Sequence, residues 1–366
     1  LESEPNGARA NIGVFGGTPE ASRSPSVGSI VLLTLNEGGT VRGDFTLKWL
    51  VRGDATNATV SLSYSTNSGG AWQTIAGSVP AMQGQYVWDT TAIGSSPTAR
   101  WRVQHFFPGV EAESAQDFLI HNTPLTYYVN DTDTNTVNDV YCTAPGSTNH
   151  TGLTPASPLP TLVDVLGRYD VEPGDTVLMD TGEYMAHQVI PLGYLDCGTA
   201  ADPVMIQGST NHPGTVFRGF GLLIDNARGV RIRDIRFEQP RLAARVRQSE
   251  NVQFERFDVL GGAGGVIIGD SSNVFLRNFL VVGTETNGVT SDQSWNTRLE
   301  FGTIWSNGEY QISIRGGTNS TLTASNCLMG AFGLRNPVYE NMGYLQANYN
   351  NLYLGPGALA ALTYDS

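Results

Sequence analysis

Gly229-Val230, Asn251-Val252, Asn273-Val274, Asn296-Thr297, Asn319-Ser320 and Gly343-Tyr344 are one phrase, recurring at spacings of 22, 22, 23, 23 and 24 residues. A period in this range without helical patterning marks a solenoid. Counted from the second residue of the phrase, Val230, Val252, Val274 and Thr297 form one column, and Ile232, Phe254, Leu276 and Leu299 a second. Ile235, Phe257, Phe279 and Gly302 follow, then Phe237, Val259, Val281 and Ile304. Apolar residues at these offsets predict two short strands, each alternating in and out, with a bend between them. A further strand per repeat is expected at Leu222–Ile224, Val266–Ile268, Val289 and Ile312–Ile314. Strands stacking on their own equivalents give a right-handed parallel β-helix with a filled core.

The outward columns are regular too. Arg233, Glu255, Arg277 and Glu300 fall one per repeat, and successive rungs lie about 4.8 Å apart. This predicts a ladder of alternating charge. A polyelectrolyte-binding strip is one reading. Register-setting on a solvated face is the plainer one, because exposed ion pairs are common and individually worth little.

Composition narrows the class. The 366 residues suggest two or more domains. With 15% charged residues, 43 glycines and 18 prolines the chain suits turn-rich β architecture. Net charge is −13, and a single lysine, Lys48, stands against 20 arginines. No basic patch interleaved with aromatics is present, so nucleic acid is not an expected partner. No apolar run reaches membrane-spanning length, so insertion is not expected. No basic and apolar leader follows Leu1, so any signal peptide is expected to be removed or to lie outside this stretch. Acidic, nearly lysine-free, Asn/Thr/Gly-rich sequence points to a secreted, extracellular or cell-surface location. Cys142 and Cys197 flank the start of the β-helix and can pair; three buried thiols, Cys327 included, are the equal alternative.

Residues 1–20 contain one short strand, Ala10, Asn11, Ile12, Gly13, Val14 and Phe15, with nothing nearby to pair it. The run EPNG…NIGVFGGTPEAS resembles the closing phrase of bacterial extracellular β-helix proteins. The resemblance implies a last rung, or a donor strand to a neighbouring unit. Residues 21–123 carry seven expected strands: Ile30–Leu35, Asp44–Val51, Ala58–Tyr64, Trp72–Ile75, Gln85–Asp89, Ala99–His105 and Ala115–Ile120. That is a β-sandwich pattern. The hairpin Val60-Ser-Leu-Ser-Tyr-Ser-Thr-Asn-Ser-Gly-Gly-Ala-Trp72 resembles those of fibronectin-III/Ig-like modules of bacterial surface proteins. Trp49, Trp72, Trp88 and Trp101 are expected in its core, with sugar stacking as the alternative.

Residues 124–366 form the β-helix domain. One helix is expected over Thr161–Tyr169, where Leu162, Val165, Leu166 and Tyr169 share a face. It is placed to cover the open end of the first rung. The run from Tyr127 to Tyr184, YYVND…DVYCTAPG…PGDTVLMDTGEY, resembles the N-terminal cap of the pectate-lyase-like superfamily, as found in large secreted bacterial repeat proteins. The fold class is therefore all-β, a sandwich followed by a solenoid with a short capping helix. Beyond Leu354 no equivalent cover is expected. Residues 1–20 of one unit are thus expected to complete the open C-terminal end of the preceding unit's β-helix, head to tail; covalently alternating modules of one long chain are the simpler alternative.

The site candidates are few. Gln248, Asp270, Asp292 and Arg315 recur at spacings of 22, 22 and 23. Two carboxylates about 5 Å apart suit a retaining glycosidase, or they hold calcium against a uronate while Arg315 grips its carboxylate. A stacked polar ladder is the plainer reading, and no catalytic residue is assigned outright. The β-helix has no lysine, which removes the base used by several lyase families it resembles in fold. Asp131, Asp133, Asn135 and Asp139 place oxygens at alternate positions, a calcium-loop hint that lacks the loop's glycine and closing glutamate. No other cofactor is expected. The expectation is a non-catalytic, structural or adhesive extracellular module; its partners are copies of itself or further modules, and glycans. A polysaccharide lyase or glycoside hydrolase, or a glycan-binding module, is the alternative.

Overall fold

Alternating side chains decide the first part of the chain, and a repeated bend decides the second. The computed structural model describes residues 28–53, 58–106, 109–134, 137–211, 214–316, 320–331, 338–341, 343–354 and 362–365. The segment 1–20, with the expected strand at residues 10–15, lies outside them, as does Asn135. The chain divides into two compact units, Leu1–Thr123 and Pro124–Ser366.

The first unit is β-sandwich-like. Asp44–Arg52 pairs antiparallel with Ser29–Leu32 on one side and Gln85–Asp89 on the other. A six-stranded sheet runs Thr40–Val41, Phe118–Ile120, Ser96–His105, Thr59–Ser65 and Gln73–Pro80, with Glu111–Glu113 beside Ser96–His105. Leu47, Trp49 and Trp88 of the first sheet share one core with Leu62, Trp101, Val103 and Phe118 of the second. Buried indoles need a partner for their N–H. Trp49 donates to Ala81 O and Trp101 to Thr34 O, each at 3.0 Å. Trp72 is the exception, half-buried with the Arg102 guanidinium 4.1 Å above its ring.

The second unit is a parallel β-solenoid of about six turns. Its strands form one sheet of 13 and one of 8. Long strands Arg228–Glu238, Glu250–Leu260, Ser272–Val282 and Thr297–Trp305 stack in parallel register. Each bends midway at a left-handed residue: Asp234, Arg256, Asn278 or Phe301, with φ between 50° and 59°. The recurring phrase has the same cause. Gly229, Asn251, Asn273 and Asn296 turn the corner at the start of each long strand at φ 54–57°, a conformation that glycine and asparagine tolerate best.

The expected columns are the core. Val230, Val252, Val274, Ile232, Phe254, Leu276, Phe237, Val259 and Val281 are all buried. Phe257 and Phe279 stack at 5.3 Å and 10°. Gly302 continues their column because a Cβ there would lie 2.3 Å from Phe279 Cζ. The 8-stranded sheet takes Leu222–Asp225, Ala244–Arg247, Val266–Gly269, Val289–Asp292 and Ile312–Arg315 in order.

The helix is Leu162–Arg168, capped by Thr161, whose hydroxyl accepts from Asp164 N at 3.2 Å. A side-chain oxygen at this position satisfies one of the helix's orphan N–H groups. Leu162 and Val165 enter the solenoid core next to Tyr127 and Val177. Strand Thr126–Val129 opens the 13-stranded sheet by pairing with Thr176–Met179.

Candidate functional site

The aspartate column is offset by one residue from the sequence reading. Asp292 pairs with Gly269 below and Arg315 above. Asp270 lies one position further on, at a left-handed corner (φ 48°), and the equivalent residue of the next rung is Gln293 (φ 46°). The two carboxylates therefore belong to different columns, one at the end of a strand and one on a turn. The cause is one extra residue between Val282 and Val289. Val266 to Val289 spans 23 residues, whereas Ala244 to Val266 spans 22. Arg315 turns away from Asp292: its Nε donates to Ser313 Oγ at 3.1 Å and its guanidinium lies 5.8 Å from the Tyr339 ring.

Of the calcium-loop candidates, three are described. Asp131 accepts from Asp133 N at 3.0 Å and from Glu183 N at 3.2 Å. Asp139 accepts from Asn130 Nδ2 at 2.7 Å. Burial pushes both carboxyls above the usual range. Among the described residues no group of three or more His, Cys, Asp and Glu is arranged to hold a metal ion. The described carboxylates accept hydrogen bonds from the turn itself and from Glu183 N.

Cys142 and Cys197 are separate free thiols, which corrects the disulfide candidate. Cys142 is buried and directed at Val129 O, 3.7 Å away. Cys197 is half-exposed in a turn and reaches Tyr194 O at 3.2 Å. Cys327 is buried too, and burial drives both buried thiols upward in pKa.

Sequence reading missed two buried aspartates that organise the cap. Asp175 accepts from Leu125 N (2.7 Å) and Glu172 N (3.0 Å), and Tyr127 O–H donates to it at 3.3 Å. Asp180, fully buried, accepts from Val140 N and Thr181 N on Oδ1 and from Tyr141 N and Cys142 N on Oδ2, all at 2.6–2.7 Å. The signal was present in Asp175-Thr-Val-Leu-Met-Asp180, a carboxylate at each end of a buried strand. A buried charge persists only where it is paired or hydrogen-bonded.

The charge ladder has the expected register, Arg233–Glu255–Arg277–Glu300. Only part of it closes into ion pairs. Arg277 reaches Glu300 at 3.8 Å, while Glu255 takes Arg256 at 3.2 Å and Arg233 bonds Gln207. The tighter pairs lie elsewhere, again one rung apart. Arg256 grips Asp234 with two bonds of 2.7 Å, and Arg247 grips Asp225 at 3.0 and 2.5 Å. Arg247 thereby holds the Asp225 carboxyl below its usual range. Arg236 meets Asp258 at 2.9 Å, and Arg218 bridges Glu183 and Glu238. On the ladder face a cleft of about 170 Å³ opens over Gln253, Glu255, Phe275, Arg277, Arg298 and Glu300.

A family model described as "Periplasmic copper-binding protein (NosD)" matches residues 202–354. No curated protein matches the chain. Among solved structures, the A-module of the mannuronan C-5 epimerase AlgE6 of Azotobacter vinelandii is similar at 13% identity. That match covers 53% of this chain and 91% of that one, with a TM-score of 0.21.

The matched span holds few of copper's usual ligands. Copper sites are built from imidazole, thiolate and thioether. Residues 202–354 contain one histidine, His212, one cysteine, Cys327, and three methionines, Met205, Met329 and Met342. Cys327 is buried in the core with its thiol pushed up, and among the described residues it belongs to no group of three or more His, Cys, Asp and Glu placed to hold a metal ion. Among the described residues no helix is long and apolar enough to cross a membrane.

Proposed function

We propose that this chain is a non-catalytic module of the cell envelope or cell surface, with a structural or adhesive role and a solenoid surface that contacts glycans. The observation that carries the reading is the use made of charge. Outward carboxylates and guanidiniums one rung apart are bound to each other, as in Asp234–Arg256, Asp225–Arg247 and Arg236–Asp258. Such pairs fix register and surface chemistry, and a carboxylate held by an arginine is a poor general base at neutral pH. The offset between Asp270 and Asp292 supports the same reading, since acid and nucleophile must face one bond from matched positions. The description of the matched family as periplasmic supports an envelope location.

In this reading residues 1–20 of one unit join it to the β-helix of the preceding unit, by strand addition at a sheet edge. Electron microscopy of the native material tests it. Uniform filaments that disappear when residues 1–20 are deleted are the expected result. Filaments that survive the deletion refute the joint, and isolated rods at every concentration refute self-assembly.

A further inference from the structure

The outward face of the first half of each long strand carries two parallel columns. One reads Met205, Arg231, Gln253, Phe275, Arg298, Thr323 and the other Gln207, Arg233, Glu255, Arg277, Glu300, Ser325. The cleft described above lies across three rungs of this face. It is on the 13-stranded sheet, whereas Asp292 and Arg315 belong to the 8-stranded sheet.

Arg298 is the feature of the cleft that the scaffold does not use. Most of the neighbouring charges are already held: Arg277 by Glu300, Glu255 by Arg256 and Arg233 by Gln207. Arg298 is exposed, and its Nε donates to Asn296 Oδ1 at 3.0 Å. Its guanidinium lies 5.2 Å from the centre of the half-buried Phe275 ring. Among the described residues no carboxylate stands within ion-pair distance of it. The asparagine and the ring thus orient the guanidinium and, among the described residues, leave its two terminal nitrogens without a hydrogen-bond partner. A guanidinium with a preset plane is suited to bidentate binding of a carboxylate or sulfate.

We propose that this cleft is a binding subsite for an anionic sugar unit, its acid group on Arg298 and its ring against Phe275. This deepens the proposed glycan contact and rests on that reading. The remaining walls supply what a sugar needs besides a cation. Gln253 can donate and accept, and Glu255 and Glu300 accept from hydroxyls. The rungs advance by about 4.8 Å, so a linear polymer lying along the axis presents successive units to successive rungs. A net charge of −13 repels polyanions at long range, so affinity here comes from local geometry rather than steering.

The test uses the full chain and three probes of similar length in a calorimetric titration: an oligogalacturonate, a sulfated dextran fragment and a neutral cello-oligosaccharide. The wild type is expected to bind one or both anionic probes and not the neutral one; which of the two binds separates carboxylate from sulfate ester. Arg298→Gln should weaken that binding by about tenfold or more, the scale of one lost charge-assisted pair. Arg298→Lys should weaken it as well, because a point charge replaces the planar fork. Arg245→Gln, an exposed arginine on the other sheet, should leave it unchanged. Arg298 is exposed, so these variants fold, and matching thermal transitions verify that. The subsite is overturned if neither anionic probe binds, if the neutral probe binds equally, or if Arg298→Gln matches wild type. If the probes bind through Arg298 but are also cleaved or epimerised, the subsite stands and the non-catalytic reading falls.

Discussion

Replacing Asp180 with asparagine removes the acceptor on which the cap is folded. In the native fold two N–H groups reach each carboxylate oxygen, at 2.6–2.7 Å. Asparagine keeps one oxygen and turns an NH2 toward the other two donors. Each buried N–H left unpaired costs about 1–3 kcal/mol, and the two surviving bonds lose their charge assistance. The expected loss is about 3–6 kcal/mol, a large share of a typical domain's stability. At about 2–4 °C per kcal/mol for a unit of this size, the melting temperature should fall by roughly 10 °C or more. Solenoids can also open locally from an end. Amide hydrogen exchange at Val140, Tyr141 and Cys142 should therefore accelerate before the central rungs do. A loss below about 1 kcal/mol, with unchanged exchange at those amides, would refute the claim that Asp180 holds the cap.

Other outcomes follow from the same geometry. Gly302→Val should cost about 1–3 kcal/mol by overpacking Phe279, read by denaturant unfolding; a neutral result would mean the ring can move aside. Asp196, half-buried and near Asp170, has its carboxyl raised by burial to about 6. Its folded pKa thus exceeds its unfolded value, so its contribution is present below about pH 4 and lost as pH rises through 6. Asp196→Asn should accordingly be more stable than wild type at pH 8, by about 1 kcal/mol once solvent screening is allowed for. The two proteins should match at pH 3.5, and a gap that does not change with pH would contradict this cause. In the native protein a thiol reagent should label Cys197 rapidly, and Cys142 and Cys327 only on unfolding. Rapid labelling of all three would contradict their burial.

The solenoid was legible because its bends need particular residues. The phrase that repeats every 22 to 24 residues is the left-handed corner at Gly229, Asn251, Asn273 and Asn296. The apolar columns beside it are the core. Trp49, Trp88 and Trp101 were equally readable, as tryptophans inside alternating strands. The aspartate column was misread because one residue inserted before Val289 slides every later position by one, and spacing alone does not say which side of a turn absorbs it. The close ion pairs were overlooked although opposite charges stand 22 residues apart in Asp225/Arg247, Asp234/Arg256 and Arg236/Asp258. Asp180 was invisible for another reason. Its donors at residues 140–142 lie some 40 positions earlier, brought in by a turn with no periodic signature.

The measurement closest to the central claim is a search for turnover. The full chain is incubated with polygalacturonate and with alginate, with and without calcium, while unsaturated products, new reducing ends and sugar epimerisation are followed. The account predicts retention of polymer with no product, unchanged by Asp270→Asn or Asp292→Asn. Product formation abolished by either substitution would contradict it and make the face of the 8-stranded sheet an active site.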